Sequence, residues 1–199
     1  MGGVIVPLAA VGGYVASGMA LPPAEAAKYA LYWLIPCFLG SLFEEMTFRG
    51  FALGTLARGV GFWPAAIFLS ALFGVLHWTT KPMETWVDGL STGLLSRFMC
   101  IAIRRTGSIW FAVGFHAAFN YAALFILGSP NTGSAGLPVF GHLLESEFRG
   151  PQWLTGGPMG IEASALVFPV ILMLFIAVGR RNWNAVAEGR AGERTELFH

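Results

Sequence analysis

Six apolar stretches, each close to the length that crosses a lipid bilayer, divide the chain. A membrane-spanning helix needs about 20 mostly apolar residues, and a helix is favoured there because it pairs its own backbone polar groups. The stretches cover residues 3–21, 29–56, 62–78, 86–103, 109–127 and 163–178. They predict an all-α fold, a polytopic membrane helical bundle of about six transmembrane helices.

The composition supports a lipid environment. Hydrophobic residues make up 55% of the 199 residues and charged residues only 12%, whereas a soluble domain carries about 25% charged residues. A soluble fold of this size would leave much of that apolar surface in water. The net charge of +1 offers no broad basic surface, so we expect the lipid bilayer as a partner and no nucleic acid.

The rest of the chain divides into a loop and a tail. We expect a single transmembrane domain over residues 1–180, followed by a polar C-terminal tail over residues 181–199. The segment 128–161 is rich in Gly, Pro, Ser and Thr, which predicts an extramembrane loop.

Basic residues indicate the orientation of the bundle. Arg58 follows the second stretch, Arg104 and Arg105 follow the fourth, and Arg180 and Arg181 follow the sixth. Short loops rich in Lys and Arg stay in the cytoplasm. With six crossings, both termini are expected to be cytoplasmic.

Ionisable residues are costly inside a bilayer, so their presence there is a sign of function. Glu44, Glu45 and Arg49 lie within the second stretch. Helical spacing places Glu45 and Arg49 on one face, four residues apart, where they can form an ion pair. Glu44 then points elsewhere and is a candidate general base in a cavity.

Two further polar motifs lie on other stretches. Phe73 and His77 share a face at the end of the third stretch, and Gly74 beside them lets a neighbouring helix approach closely. His116 and Asn120 share a face in the fifth stretch. In the fourth stretch, Asp88 and Arg97 lie near enough to the ends to reach the membrane surface, so we expect them to snorkel.

Taken in order, the motifs EExxxR, FxxxH and HxxxN resemble those of the CAAX-protease and bacteriocin-processing family, also called CPBP or ABI. The matched region runs over about residues 38–121. The resemblance implies an intramembrane protease, an endopeptidase similar to the eukaryotic CAAX prenyl endopeptidase. Its active-site cavity would lie between the second, third and fifth helices.

The resemblance also implies roles for the motif residues. Glu44 and His77 would activate a water molecule, and His116 and Asn120 would stabilise the oxyanion. The residues that would support the motifs structurally are Glu45, Arg49 and Phe73.

A metal is an open alternative. Glu44, His77 and His116 could hold a divalent ion such as zinc and leave a position for water. The chain has no HExxH pair, and a metal-free glutamate mechanism fits the same residues as well.

The resemblance leaves other questions open. The expected substrate is a membrane-associated protein or peptide, and the expected location is a bacterial cell membrane. The main rival is a non-catalytic membrane protein of the same fold, acting in bacteriocin immunity or as a scaffold. A proton-relaying transporter is a weaker alternative, because no inverted repeat is visible in the sequence.

Overall fold

The computed structural model describes residues 1–180, which form a bundle of apolar helices. The predicted tail over residues 181–199 lies outside the described residues. The bundle comprises α2 (Pro23–Glu45), a π-helical segment (Met46–Ala52) and α3 (Leu53–Val60) in one continuous run, then α4 (Phe62–Thr80), α5 (Trp86–Thr106), α6 (Trp110–Tyr121) with a second π-helical segment (Ala122–Ile126), and α8 (Val167–Arg180).

The lengths of these helices suit a membrane. Within residues 1–180, three runs are long and apolar enough to cross a bilayer: Pro23–Val60, Phe62–Thr80 and Trp86–Thr106. Two shorter apolar helices cover Trp110–Ile126 and Val167–Gly179. Large apolar side chains point outwards from the bundle, where lipid would cover them; Phe43 is 72% exposed and Phe51 75%.

The prediction of a membrane helix over residues 3–21 is wrong. Helix α1 (Gly2–Ala10) is short, and the strand β1 (Tyr14–Met19) follows it. Gly12 adopts a φ of +74°, a conformation that glycine reaches at low cost and that ends the helix. The stretch is apolar throughout, so its composition does not reveal this break.

The all-α prediction also needs correction, because the structure contains a small sheet. Strand β1 pairs antiparallel with β2 (Leu144–Phe148), with Tyr14 opposite Phe148 and Met19 opposite Leu144. The predicted loop over residues 128–161 therefore contains regular structure, including β2 and the short helix α7 (Gln152–Thr155). The sheet joins the start of the chain to this loop.

Local sequence explains where the central helices begin and end. Gly61, with a φ of +84°, separates α3 from α4. At the start of α5, Thr85 and Asp88 form a capping box, and Gly107 ends the helix in the left-handed conformation. A short connection, residues 81–85, joins α4 to α5, and the two helices run antiparallel, with Gly74 facing Gly89 and Gly93 facing Ser70.

Glycines bring α4 and α5 close together. A Cβ atom added at Gly74 would overlap the carbonyl oxygen of Gly89, and one added at Gly93 would lie 3.1 Å from the carbonyl oxygen of Ser70. This close approach agrees with the role predicted for Gly74. Small residues at helix interfaces permit such contact between backbones in membranes.

We expect the substitution Gly74→Ala to destabilise the protein, because its methyl group meets backbone atoms that cannot turn away. Overpacking of this kind costs about 1–3 kcal/mol or more. Gly40→Ala on α2 is the matched control, since a Cβ atom there meets nothing within 4 Å. Unfolding in graded denaturant, measured in detergent micelles, compares the two; equal stability would contradict the close packing of α4 on α5.

Candidate active site

A cavity inside the bundle brings together the polar motif residues from three helices. Its volume is about 160 Å³, enough for several water molecules. The polar motif residues that line it are Glu44 on α2, His77 on α4, and His116 and Asn120 on α6. Side chains from α5 and from residues 129–131 and 160–162 complete the wall.

The two adjacent glutamates take different environments. Glu45 is fully buried, whereas the Glu44 side chain is 36% exposed and lines the cavity. Neighbouring residues on a helix point about 100° apart, which explains the difference. Only Glu44 is therefore open to a water molecule or a substrate.

Glu45 holds a buried network together. Its Oε1 atom accepts a hydrogen bond from Nη1 of Arg49 at 3.1 Å, so the ion pair forms as the helical spacing predicts. The Arg49 guanidinium lies over the ring of Phe73, 4.3 Å from its centroid. Phe73 also packs against the His77 ring, with the centroids 4.3 Å apart. The three supporting residues thus connect α2, through its π-helical extension, to α4.

Glu45 also makes a contact that the sequence does not predict. The Nδ1 atom of His116 lies 2.9 Å from Oε1 of Glu45. A carboxylate can only accept, so Nδ1 carries the proton. The other ring nitrogen, Nε2, is then directed to Glu44, whose Oε2 lies 3.9 Å away. His116 therefore bonds the buried Glu45 and lies close to Glu44 without a hydrogen bond to it.

His77 is oriented by the backbone. Its Nδ1 atom lies 3.0 Å from the carbonyl oxygen of Phe73, one helical turn earlier. A carbonyl oxygen accepts, so Nδ1 is the donor and Nε2 of the neutral ring keeps its lone pair. A water molecule in the cavity could donate a hydrogen bond to that nitrogen.

The cavity also contains charged residues that the motif search missed. They are Lys81, Glu84, Asp88 and Glu162. The prediction that Asp88 snorkels is wrong, because the residue is only 3% exposed. The sequence T-x-x-D at Thr85–Asp88 is a capping signature and could have indicated its position. No sequence signal indicates Glu162, which lies in a short turn after the loop.

The residues do not form a ready metal site. Across residues 1–180, no group of three or more His, Cys, Asp or Glu side chains is arranged to hold a metal ion. Glu44, His77 and His116 line one cavity but do not converge as a zinc ligand set does.

Comparison with known families agrees with the motifs. Residues 26–122 match the family model described as "Type II CAAX prenyl endopeptidase Rce1-like", and this segment contains all three motifs. Comparison with curated proteins and with solved structures gives no significant match. The match confirms the resemblance to CAAX proteases, and with the apolar helices it supports an integral membrane location. Over residues 26–122, just under half of its length, this integral membrane protein is similar to the Rce1-like type II CAAX prenyl endopeptidases.

Proposed function

We propose that the protein is an intramembrane endopeptidase that hydrolyses a peptide bond of a membrane-associated protein or peptide. The observation that carries the proposal is the convergence of Glu44, His77, His116 and Asn120 on one cavity. Four polar side chains from three apolar helices would be costly without a function. The family match supports the same class of enzyme.

In the proposed mechanism, Glu44 is the general base. Its carboxylate takes a proton from a water molecule in the cavity, and the lone pair of His77 Nε2 helps to orient that water. The resulting hydroxide adds to the carbonyl carbon of the scissile bond and forms a tetrahedral oxyanion. Glu44 then passes its proton to the leaving amine as the C–N bond breaks.

His116 and Asn120 would stabilise the oxyanion. The Asn120 amide offers N–H donors. His116 already uses Nδ1 to bond Glu45, so Nε2 can donate only when the ring carries both protons.

The test is cleavage by the purified protein in proteoliposomes. Wild-type protein is expected to cleave a farnesylated CAAX peptide or a member of a library of membrane-associated peptides, with the products identified by mass spectrometry. If it cleaves none of them, a non-catalytic role in immunity or as a scaffold becomes the better interpretation.

We expect His77→Gln to lower kcat by about 10²-fold, the lower end of the range for groups that assist proton transfer, because the ring nitrogen that orients the attacking water is lost. His142→Gln is the matched control. His142 also bonds a backbone carbonyl through Nδ1, that of Val139 at 2.8 Å, but it lies outside the cavity. Equal activity of the two variants would contradict the role of His77.

We also propose that the arginine-rich helix ends face the cytoplasm of a bacterial cell. The predicted cytoplasmic location of both termini depends on six crossings. Since α1 is too short to cross, five crossings by the remaining apolar runs would place residue 1 and residue 180 on opposite sides. With the native Cys37 and Cys100 replaced by Ala, labelling of single cysteines introduced at residues 2 and 107, in intact and in opened cells, tests this arrangement.

A further inference from the structure

The cavity has a negatively charged side that the proposed chemistry does not use. Glu84, Asp88 and Glu162 form this side, which we call the acidic wall. Glu84 precedes α5, Asp88 lies in its first turn, and Glu162 lies in the turn Ile161–Ala163. The hydroxyl of Ser91 on α5 donates to the carbonyl oxygen of Glu162 at 3.4 Å and helps to hold that turn against the helix.

Asp88 has an oxygen without a partner. Its Oδ2 atom accepts hydrogen bonds from the Thr85 backbone N–H at 2.8 Å and from the Thr85 hydroxyl at 2.7 Å. Its Oδ1 atom is buried and has no hydrogen-bond partner among residues 1–180. A buried carboxylate oxygen left unsatisfied is costly. Helix capping explains one oxygen of Asp88 and leaves the other for a ligand.

Glu84, like Asp88, has one carboxylate oxygen with a partner and one without. Its Oε1 atom pairs with Nζ of Lys81 at 3.4 Å, and its side chain is only 5% exposed. Its Oε2 atom is buried and without a hydrogen-bond partner in the described part of the chain. Two of the three residues of the acidic wall therefore line the cavity and carry a buried carboxylate oxygen without a hydrogen-bond partner in residues 1–180.

The wall carries more negative charge than its neighbours neutralise. Its three carboxylates face one ammonium group, that of Lys81. Burial raises the pKa of Glu84 and of Glu162, and the nearby carboxylates raise it further, while Lys81 and, at Glu162, His116 act in the opposite direction. A further cation would stabilise the ionised form of these groups.

The positions of the three carboxylates indicate which kind of cation they can bind. A metal ion needs ligands that converge on one point, and residues 1–180 contain no such group of three. An ammonium or guanidinium group donates in several directions and can meet carboxylates that lie apart. The arrangement therefore suits an organic cation.

We propose that the acidic wall is a specificity subsite that binds a Lys or Arg side chain of the peptide substrate near the scissile bond. The proposal depends on the proposed endopeptidase function, because both assign the same cavity to one substrate. The peptide would place its carbonyl carbon at Glu44 and its cationic side chain at Glu84, Asp88 and Glu162.

The test uses sets of peptides that differ at a single position. Proteoliposomes of the wild-type protein receive a cleavable membrane-associated peptide with Lys, Gln or Glu at each position around the scissile bond in turn. At one position, kcat/KM is expected to be about tenfold higher for Lys than for Gln, the usual effect of a charge-assisted hydrogen bond.

Variants of the wall should change that preference. Asp88→Asn keeps an oxygen to accept from Thr85 but removes the charge, and is expected to abolish most of the preference. Glu162→Lys leaves two carboxylates facing two ammonium groups and should abolish the preference. Glu25→Gln is the matched control, because it removes an exposed carboxylate at the start of α2, outside the cavity, and should keep the wild-type preference.

The outcomes separate the two proposals. Cleavage without a Lys preference at any position, or with a preference that Glu162→Lys leaves unchanged, would overturn the subsite and leave the endopeptidase standing. Binding of the fluorescent Lys and Gln peptides to the Glu44→Gln protein tests the subsite without turnover, and equal affinities would also overturn it. Unfolding in detergent establishes that each variant is folded, and Glu84→Gln replaces either wall variant that is not.

Discussion

Replacing Glu44 with Gln is expected to lower kcat by about 10³-fold while leaving the affinity for a peptide nearly unchanged. The amide keeps the size of the side chain but cannot take the proton of the attacking water. Little stability should be lost, because Glu44 is 36% exposed and its closest charged contact, His116 Nε2, is 3.9 Å away. Single-turnover cleavage in proteoliposomes measures the rate, and peptide binding is measured separately.

The control for Glu44→Gln is Glu25→Gln, which makes the same chemical change on the same helix at an exposed position outside the cavity. It should cleave at the wild-type rate. If Glu44→Gln retains the wild-type rate as well, Glu44 is not the base and the proposed mechanism fails.

The second large effect is expected from Arg49→Met, which should lower the stability of the fold. Arg49→Met leaves Glu45 fully buried without its cation. Breaking a buried ion pair from one side costs about 3–5 kcal/mol, because the remaining charge is uncompensated. The free energy of unfolding, measured in mixed micelles of increasing denaturing detergent, should fall by that amount.

Two comparisons test the reason for this loss. The double variant Glu45→Gln/Arg49→Met removes both charges and still lets His116 donate to the Gln oxygen, so it should recover much of the stability. Arg149→Met breaks an exposed ion pair, in which the side chain of Arg149 is 62% exposed and that of Glu147 is 55% exposed. It should lower the free energy of unfolding by less than about 1 kcal/mol. A loss at Arg49 no larger than that at Arg149 would contradict the proposed role of the buried pair.

Much of the helical architecture could be predicted from the sequence, because long apolar runs have few other solutions in a membrane. The predicted stretches 62–78 and 86–103 lie within α4 and α5. The ion pair between Glu45 and Arg49 follows from local helical spacing alone. Contacts within one helix are of this predictable kind.

Contacts between distant segments could not be predicted in the same way. The bond between Glu45 and His116 joins residues 71 positions apart and depends on how α6 packs against α2. Glu162 reaches the cavity only because its turn docks on α5. Hydropathy indicates which residues are buried but not which residues they contact. In the first apolar stretch, hydropathy also did not distinguish a strand from a membrane-spanning helix.

The pairing of β1 with β2 has a consequence for how the protein is made. The Tyr14 hydroxyl meets that of Ser146 across 132 residues of chain, so β1 emerges from the ribosome long before its partner exists. Closing so long a loop is slow compared with forming a helix. The cavity thus acquires its last side, which includes Glu162, only after α2 to α6 have been synthesised. A nascent chain arrested before β2 would therefore hold Glu44 and His116 in an open groove.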